Sequence, residues 1–279
     1  MPQAKLDGID TFWRVIGQGP LPGLAVHCSL AHSGAFEGLG AELSDLLTLT
    51  AYDLPGHGGS ADWDQSRPYQ ESACAQGRAL LPEAPVHLIG HSFGATVALR
   101  LAVEQPERIA SLTLIECVFF GVVRRDHPDH PSVTERLNGP FVQLMARGDY
   151  TEAARSFHGT WGDGRDWNAM SDRQRDGLIR RMPLIAAVNE TNNGDPLNML
   201  AEARLERLKV PTLLIEGAKS PPNIDMIHAG LARRLPQVTR VSIPGAAHMA
   251  PITHPAPVAK AIRDFLITNA SVPASLPLV

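Results

Sequence analysis

Short apolar runs punctuated by glycine and proline alternate with amphipathic stretches along most of the chain. FWRVI (12–16), LAVH (24–27) and LLTLTAYD (46–53) read as early strands, and residues 70–81 as a helix after them. VHLI (86–89) is a short apolar run, and ATVALRLAVEQ (95–105) behind it has helical composition that stops at Pro106. IASLTLIECVFF (109–120), PTLLIEG (211–217) and VTRVSIPG (238–245) supply three more strands, with helical sequence between and after the last two. Repeated strand–helix units predict an α/β fold, a mostly parallel sheet covered by helices on both faces.

Between about residues 120 and 208 the strand signals vanish. Charged, aromatic, helix-forming segments such as SVTERLNGPFVQLMARGD and DRQRDGLIRRM take their place. The pattern predicts a helical insertion over 120–208 in a core domain made of 1–119 and 209–279. Tyr150, Phe141, Phe157, Trp161 and Trp167 sit on insertion segments too short for an independent core, so some are expected to pack onto the sheet domain or to line a pocket.

Composition narrows the function classes. With 279 residues, 44% hydrophobic and 19% charged, the chain is an ordinary globular protein able to bury a substantial core. A formal net charge of −4 leaves no basic surplus for nucleic acid or an anionic membrane surface, so neither is an expected partner. MPQAKLDGID lacks the apolar stretch of a signal peptide and no apolar run reaches membrane-span length, which makes a cytoplasmic location the expectation. Cys28, Cys74 and Cys117 have neither disulfide-framework nor zinc spacing and read as reduced. Cys28 and Cys117 fall beside positions important below, where a thiol could confer sensitivity to alkylation; small buried hydrophobes are the alternative.

Gly90-His91-Ser92-Phe93-Gly94 fits Gly-x-Ser-x-Gly and lies between a strand run and a helix run, the context of a nucleophile elbow. Two glycines allow backbone to pack closely at a sharp turn, and the hydroxyl then sits at the strand tip beside the positive end of the next helix.

With these residues in view the chain resembles the α/β-hydrolase family of lipases, esterases and haloalkane dehalogenases. The likeness rests on GHSFG, AVHCSLAHSG (25–34), YDLPGHGGS (52–60) and IPGAAHMAPITHP (243–255), and it covers nearly the whole chain. It implies an eight-stranded, mostly parallel sheet with a helical cap inserted after the sixth strand, which here corresponds to the insertion over 120–208.

A serine hydroxyl needs a base within hydrogen-bond reach, and the base needs a carboxylate to orient it. His248 follows a strand run and a Pro-Gly turn, in a segment similar to the family's final Gly-x-x-His. His254 reads as a surface-loop histidine, His27 and His57 as loop stabilisers, and His91 as a flank of the elbow. The acid departs from the family's usual pattern: GAKSPPNID (217–225) has Ser220 where an aspartate after the seventh strand is expected. Haloalkane dehalogenases instead carry the acid at the end of the sixth strand, and here Glu116 stands there. A carboxylate ending an apolar strand needs compensation that a catalytic histidine would provide. Asp225 is the alternative acid, on the following helix, while Glu216 precedes a glycine and can point into the sheet. Glu116 could alternatively pin the start of the cap.

Acyl transfer also needs oxyanion donors. Phe93, after the nucleophile, supplies one. By resemblance the other comes from the segment after the third strand, at Ser29, with Leu30 also open because Cys28 replaces the family's usual glycine. Asp53 reads as a turn-stabilising carboxylate. No metal or other cofactor is called for; Asp126, His127, Asp129 and His130 cluster near the start of the insertion but read as a solvated loop.

The resulting expectation is a cofactor-independent serine hydrolase that cleaves an ester or related acyl bond of a small, apolar substrate through an acyl-enzyme. A carbon–carbon bond hydrolase, a lactonase or a perhydrolase would use a similar triad. A ligand-binding protein on the same scaffold is the alternative from another class. Relatives that attack with aspartate are disfavoured by the serine in the elbow.

Overall fold

The computed structural model describes residues 2–201 and 203–270. Eight strands form one sheet: β1 (Gln3–Leu6), β2 (Ile9–Ile16), β3 (Leu21–Val26), β4 (Leu47–Tyr52), β5 (Val86–His91), β6 (Ile109–Ile115), β7 (Thr212–Gly217) and β8 (Val238–Ile243), in the spatial order β1-β2-β4-β3-β5-β6-β7-β8. β1 with β2 and β2 with β4 are antiparallel, and every pair from β4 to β8 is parallel.

The central strands are buried on both faces, which is why they read as continuous apolar runs rather than alternating ones. Side chains nevertheless alternate across the sheet with the two-residue period of a strand. Leu24, Val26, Leu88, Leu112, Leu114 and Leu214 face one core; Ala25, Ile89, Ile115, Leu213 and Ile215 face the other. The first core is roofed by α2 (Tyr69–Leu80), α3 (Phe93–Glu104) and α10 (Pro222–Ala232), the second by α1 (Glu37–Glu42), α11 (Ala250–Thr253) and α12 (Pro255–Ala270). Fully burying each such Leu or Ile is worth about 1.5–3 kcal/mol.

Two elements differ from the pattern reading. β1 (QAKL) is exposed and too short to show an apolar run, so the sequence hides it. The run 109–120 is strand only as far as Ile115: Glu116 adopts φ of 54°, and the chain turns out of the sheet there.

Between β6 and β7 lie α4 (Gly121–Asp126), α5 (Pro131–Asn138), α6 (Pro140–Ala146), α7 (Tyr150–Trp161), α8 (Asp172–Ala187) and α9 (Asn189–Asn193). Phe141, Tyr150, Phe157 and Trp167 gather around Ala153, Ala154 and Met182 in a small cluster of their own, joined by Leu30 from the loop after β3. Trp161 instead packs with the sheet domain's core. Among the described residues no helix is long and apolar enough to cross a membrane.

Candidate active site

Ser92 stands between β5 and α3 with φ of 57° and ψ of −119°, a conformation costly for any residue with a side chain. Close packing holds it there. A Cβ on Gly90 would collide with the Gly94 carbonyl and the Ala95 backbone, and one on Gly94 with the Val26 carbonyl, so the elbow can form only with glycine on either side of His91-Ser92-Phe93. The Ser92 amide donates to Ile115 O at 2.9 Å, tying the elbow to the end of β6.

Ser92 Oγ lies 2.9 Å from His248 Nε2, and His248 Nδ1 lies 2.9 Å from Glu116 Oε2. All three side chains are buried. Glu116 begins where β6 ends, its amide donating to Ile215 O at 2.8 Å. Its other carboxylate oxygen accepts from Gly217 N and from Ser220 Oγ, both at 2.6 Å. Burial acts to raise the Glu116 carboxyl's pKa. The hydrogen bond and positive charge offered by His248, with the bonds from Ser220 and Gly217, outweigh it and hold the group below the ordinary carboxylate range.

His248 sits in the loop between β8 and α11, and that loop is latched by His91, whose Nε2 donates to the His248 carbonyl at 2.8 Å. Burial lowers the His91 pKa to about 3, so the ring is neutral and can carry its proton on that nitrogen. Trp161, at the end of α7, sets its ring against the His248 imidazole, centroids 4.7 Å apart at 73°.

Asp225 lies elsewhere, on the exposed side of α10, paired with Arg240 at 2.6 Å. Glu216 also faces outward from the triad, toward Arg240 and toward His228 Nδ1 at 3.1 Å. His228 in turn accepts from the Cys117 amide at 3.2 Å through Nε2, bracing the backbone just past Glu116.

Phe93 opens α3, so its amide has no acceptor within that helix. Ser29 lies in the turn after β3, with no hydrogen bond among the described residues. The Leu30 amide is already engaged: it donates to His57 Nε2 at 3.1 Å, with Leu30 itself at φ of 66°. His57 Nδ1 meets Pro55 O at 2.9 Å, and His27 joins Cys28 O at 2.7 Å to the Leu54 amide at 3.0 Å. Burial pushes both histidines to a pKa of about 3, fitting neutral rings that pin loops. Asp53 accepts from Ser33 N at 2.6 Å and Gly59 N at 2.7 Å, holding the two loops together.

All three cysteines are buried, and burial pushes their thiols up to about 12, which removes the basis for alkylation sensitivity at Cys28 or Cys117. Asp126 is not a solvated loop residue. It ends α4 and clamps Arg234 and Arg233 of the segment after α10, with Oδ1 2.5 Å from Arg234 and Oδ2 2.7 Å from Arg233. Among the described residues no group of three or more His, Cys, Asp or Glu is arranged to hold a metal ion.

The family model described as the alpha/beta hydrolase family matches residues 24–261. The chain is similar to a pimeloyl-[acyl-carrier protein] methyl ester esterase of Neisseria meningitidis serogroup B, 28% identical over 250 residues that cover 86% of this chain and 91% of that protein. A protein of the same description from Methylococcus capsulatus is 28% identical over 272 residues, covering 92% and 99%. Among solved structures, an alpha/beta hydrolase from Sphaerobacter thermophilus superposes with a TM-score of 0.67 at 22% identity, covering 95% of this chain and all of that one (100%), a likeness of fold.

Proposed function

The chain belongs to the α/β hydrolase family, and on that premise we propose that it is a cofactor-independent serine esterase with Ser92 as nucleophile, His248 as general base and Glu116 as the orienting acid. The observation that carries this reading is the unbroken hydrogen-bonded line from Ser92 Oγ through both imidazole nitrogens to Glu116, with both contacts at 2.9 Å.

In this mechanism His248 Nε2 takes the hydroxyl proton as Ser92 Oγ attacks the ester carbonyl. The carbonyl oxygen becomes an oxyanion held by the amides of Phe93 and Ser29; Leu30 is a poorer donor because its N–H already serves His57. The tetrahedral intermediate expels the alcohol, which leaves with the proton from His248. Water then attacks the acyl-enzyme, with His248 again as base. Glu116 keeps the proton of the neutral ring on Nδ1 and stabilises the imidazolium of each half-reaction. The carboxylate can do this because it is ionised and fully hydrogen-bonded in a buried site.

The helical segment 120–208 acts as a cap that brings Trp161 against the imidazole. The similarity to methyl ester esterases supports a small alkyl ester of an acyl chain as the bond cleaved, and the protein would act in the cytoplasm on a small-molecule ester. Treatment with a fluorophosphonate probe, followed by mass spectrometry, should place the adduct on Ser92. Turnover of p-nitrophenyl butyrate should vanish in Ser92→Ala. Absence of both labelling and turnover in the wild type would favour a ligand-binding role instead.

A further inference from the structure

Glu116 has φ of 54°, in the left-handed region that a residue with a side chain keeps only where its surroundings hold it. The backbone on either side of it is tied to three different elements. Ile115 O accepts from the Ser92 amide of the elbow at 2.9 Å, the Glu116 amide donates to Ile215 O of β7 at 2.8 Å, and the Cys117 amide donates to His228 Nε2 of α10 at 3.2 Å. Of these three bonds only the last is made to a side chain.

His228 is fully buried. A ring nitrogen that accepts from an amide carries no proton itself, so the imidazole is neutral with its proton on Nδ1. That nitrogen lies 3.1 Å from Glu216 Oε2, a contact off the axis of a hydrogen bond, and the negative charge there favours the proton on Nδ1. Glu216 is held in turn by Arg240, whose Nη2 is 3.1 Å from Oε1 and 3.2 Å from Oε2. A line of contacts therefore runs inward from Arg240 through Glu216 and His228 to the amide that follows Glu116. It repeats the logic by which Glu116 orients His248: a carboxylate sets the tautomer of an imidazole, and the opposite nitrogen accepts, here from an amide instead of a hydroxyl.

We propose that His228 is a positioning residue of the hydrolytic site. By accepting the Cys117 amide it holds Glu116 in the left-handed conformation from which Oε2 meets His248 Nδ1 at 2.9 Å, and Glu216 maintains the tautomer that makes this possible. The assignment rests on the serine-esterase reading and adds to it the support on which the acid depends. Gly217 N and Ser220 Oγ grip the end of the Glu116 side chain through Oε1, but bonds at that end do not set the backbone dihedral from which the side chain departs. A rotation about φ at residue 116 would carry Oε2 away from the imidazole, and a misplacement of about 1 Å can cost about a hundredfold in rate.

The test is steady-state kinetics on p-nitrophenyl butyrate with two variants. His228→Leu fills the space without an acceptor, whereas the side-chain oxygen of His228→Gln can take the Cys117 amide. At a temperature where both are folded, kcat should fall by about thirtyfold or more in His228→Leu with KM within about twofold, and stay within about fivefold of wild type in His228→Gln. On a Glu116→Gln background, His228→Leu should cost less than about twofold more, because the carboxylate being positioned is already gone. An unchanged kcat in His228→Leu, or the same loss on both backgrounds, would overturn the assignment and leave the esterase reading standing. Wild-type protein supplies a readout that needs no variant to fold: nitrogen-15 NMR of the imidazoles near neutral pH should show His228 neutral and protonated on Nδ1. A proton on Nε2 would overturn the assignment, since that nitrogen could not then accept from Cys117. A wild type with neither turnover nor a fluorophosphonate adduct would instead bring down the esterase reading and this assignment with it.

Discussion

Glu116 Oε2 and His248 Nδ1 lie 2.9 Å apart although 132 positions separate the two residues in the chain. The Glu116 carboxylate reaches the imidazole from the end of β6 rather than from the loop after β7, and the sheet explains why the two origins lie close together. β6 and β7 are parallel neighbours, so their C-terminal ends open at the same edge. The Ser220 hydroxyl, in the loop after β7, touches the Glu116 carboxylate at 2.6 Å. The two alternative positions for an acid are thus adjacent in space.

With Glu116 orienting the ring, Glu116→Gln should lower kcat by about a thousandfold to ten-thousandfold with little change in KM, because the amide favours the wrong tautomer and cannot balance the imidazolium. Asp225→Asn, at a surface ion pair, should change kcat by no more than about twofold. Steady-state kinetics on p-nitrophenyl butyrate separates the cases, and a large loss in Asp225→Asn would return Glu116 to a structural role.

Moving the carboxylate tests the shared edge directly. Glu116→Ser should be as damaging as Glu116→Gln, whereas Glu116→Ser combined with Ser220→Asp should recover at least about tenfold in kcat, a coupling of the size seen between residues in contact. A double variant no more active than the single one would mean that the loop after β7 cannot deliver an acid to His248.

Acid should unfold the protein earlier than its carboxylates alone require. His27, His57 and His91 are held near 3, below the value of about 6.5 that an unfolded chain has. Between those limits the unfolded state binds more protons, so stability falls as pH falls from about 6.5 toward 3, each histidine contributing about 1.4 kcal/mol per pH unit. Glu116, held low, adds a loss that begins only below about 4.3, where its unfolded form protonates. Urea unfolding at a series of pH values should give a level plateau above 7 and a decline from 6.5 downward; a stability unchanged between 6.5 and 4.5 would show that the rings are not buried neutral.

Gly94→Ala should cost about 1–3 kcal/mol or more, because the added methyl meets the Val26 carbonyl rather than a side chain that can turn away. The strand behind it must shift, and the Phe93 amide shifts with it, so activity should fall even at temperatures where the variant remains folded. A thermal melt paired with an activity assay on the folded protein reads both effects, and a fully active variant of unchanged Tm would contradict the close approach.

Much of the site was legible from the chain alone because the signals are local. GHSFG needs only its flanking strand and helix to read as an elbow, and the apolar runs mark the buried strands whatever their partners. Glu116 could be named because a carboxylate is anomalous at the end of LTLIE. Ser220 was visible as a departure from the family pattern, but not as a donor to Glu116, since that role depends on the loop after β7 folding back over β6. The position of Trp161 was equally hidden. Nothing in the local sequence pattern distinguishes it from Phe157, within α7, or from Trp167, beyond the end of that helix, both of which join a separate cluster.

By itself the sequence determined the α/β architecture and the elbow, and it named Ser92 and His248 with Glu116 or Asp225 as the acid, because backbone preference, side-chain periodicity and turn chemistry act over a few neighbouring positions. Only the tertiary structure decided that Glu116 rather than Asp225 faces His248, that His57 engages the Leu30 amide, and that His228 accepts from the Cys117 amide. Those outcomes depend on strand order, sheet register and the seating of the inserted helices. They arise from distances between residues far apart in the chain, to which no local pattern responds.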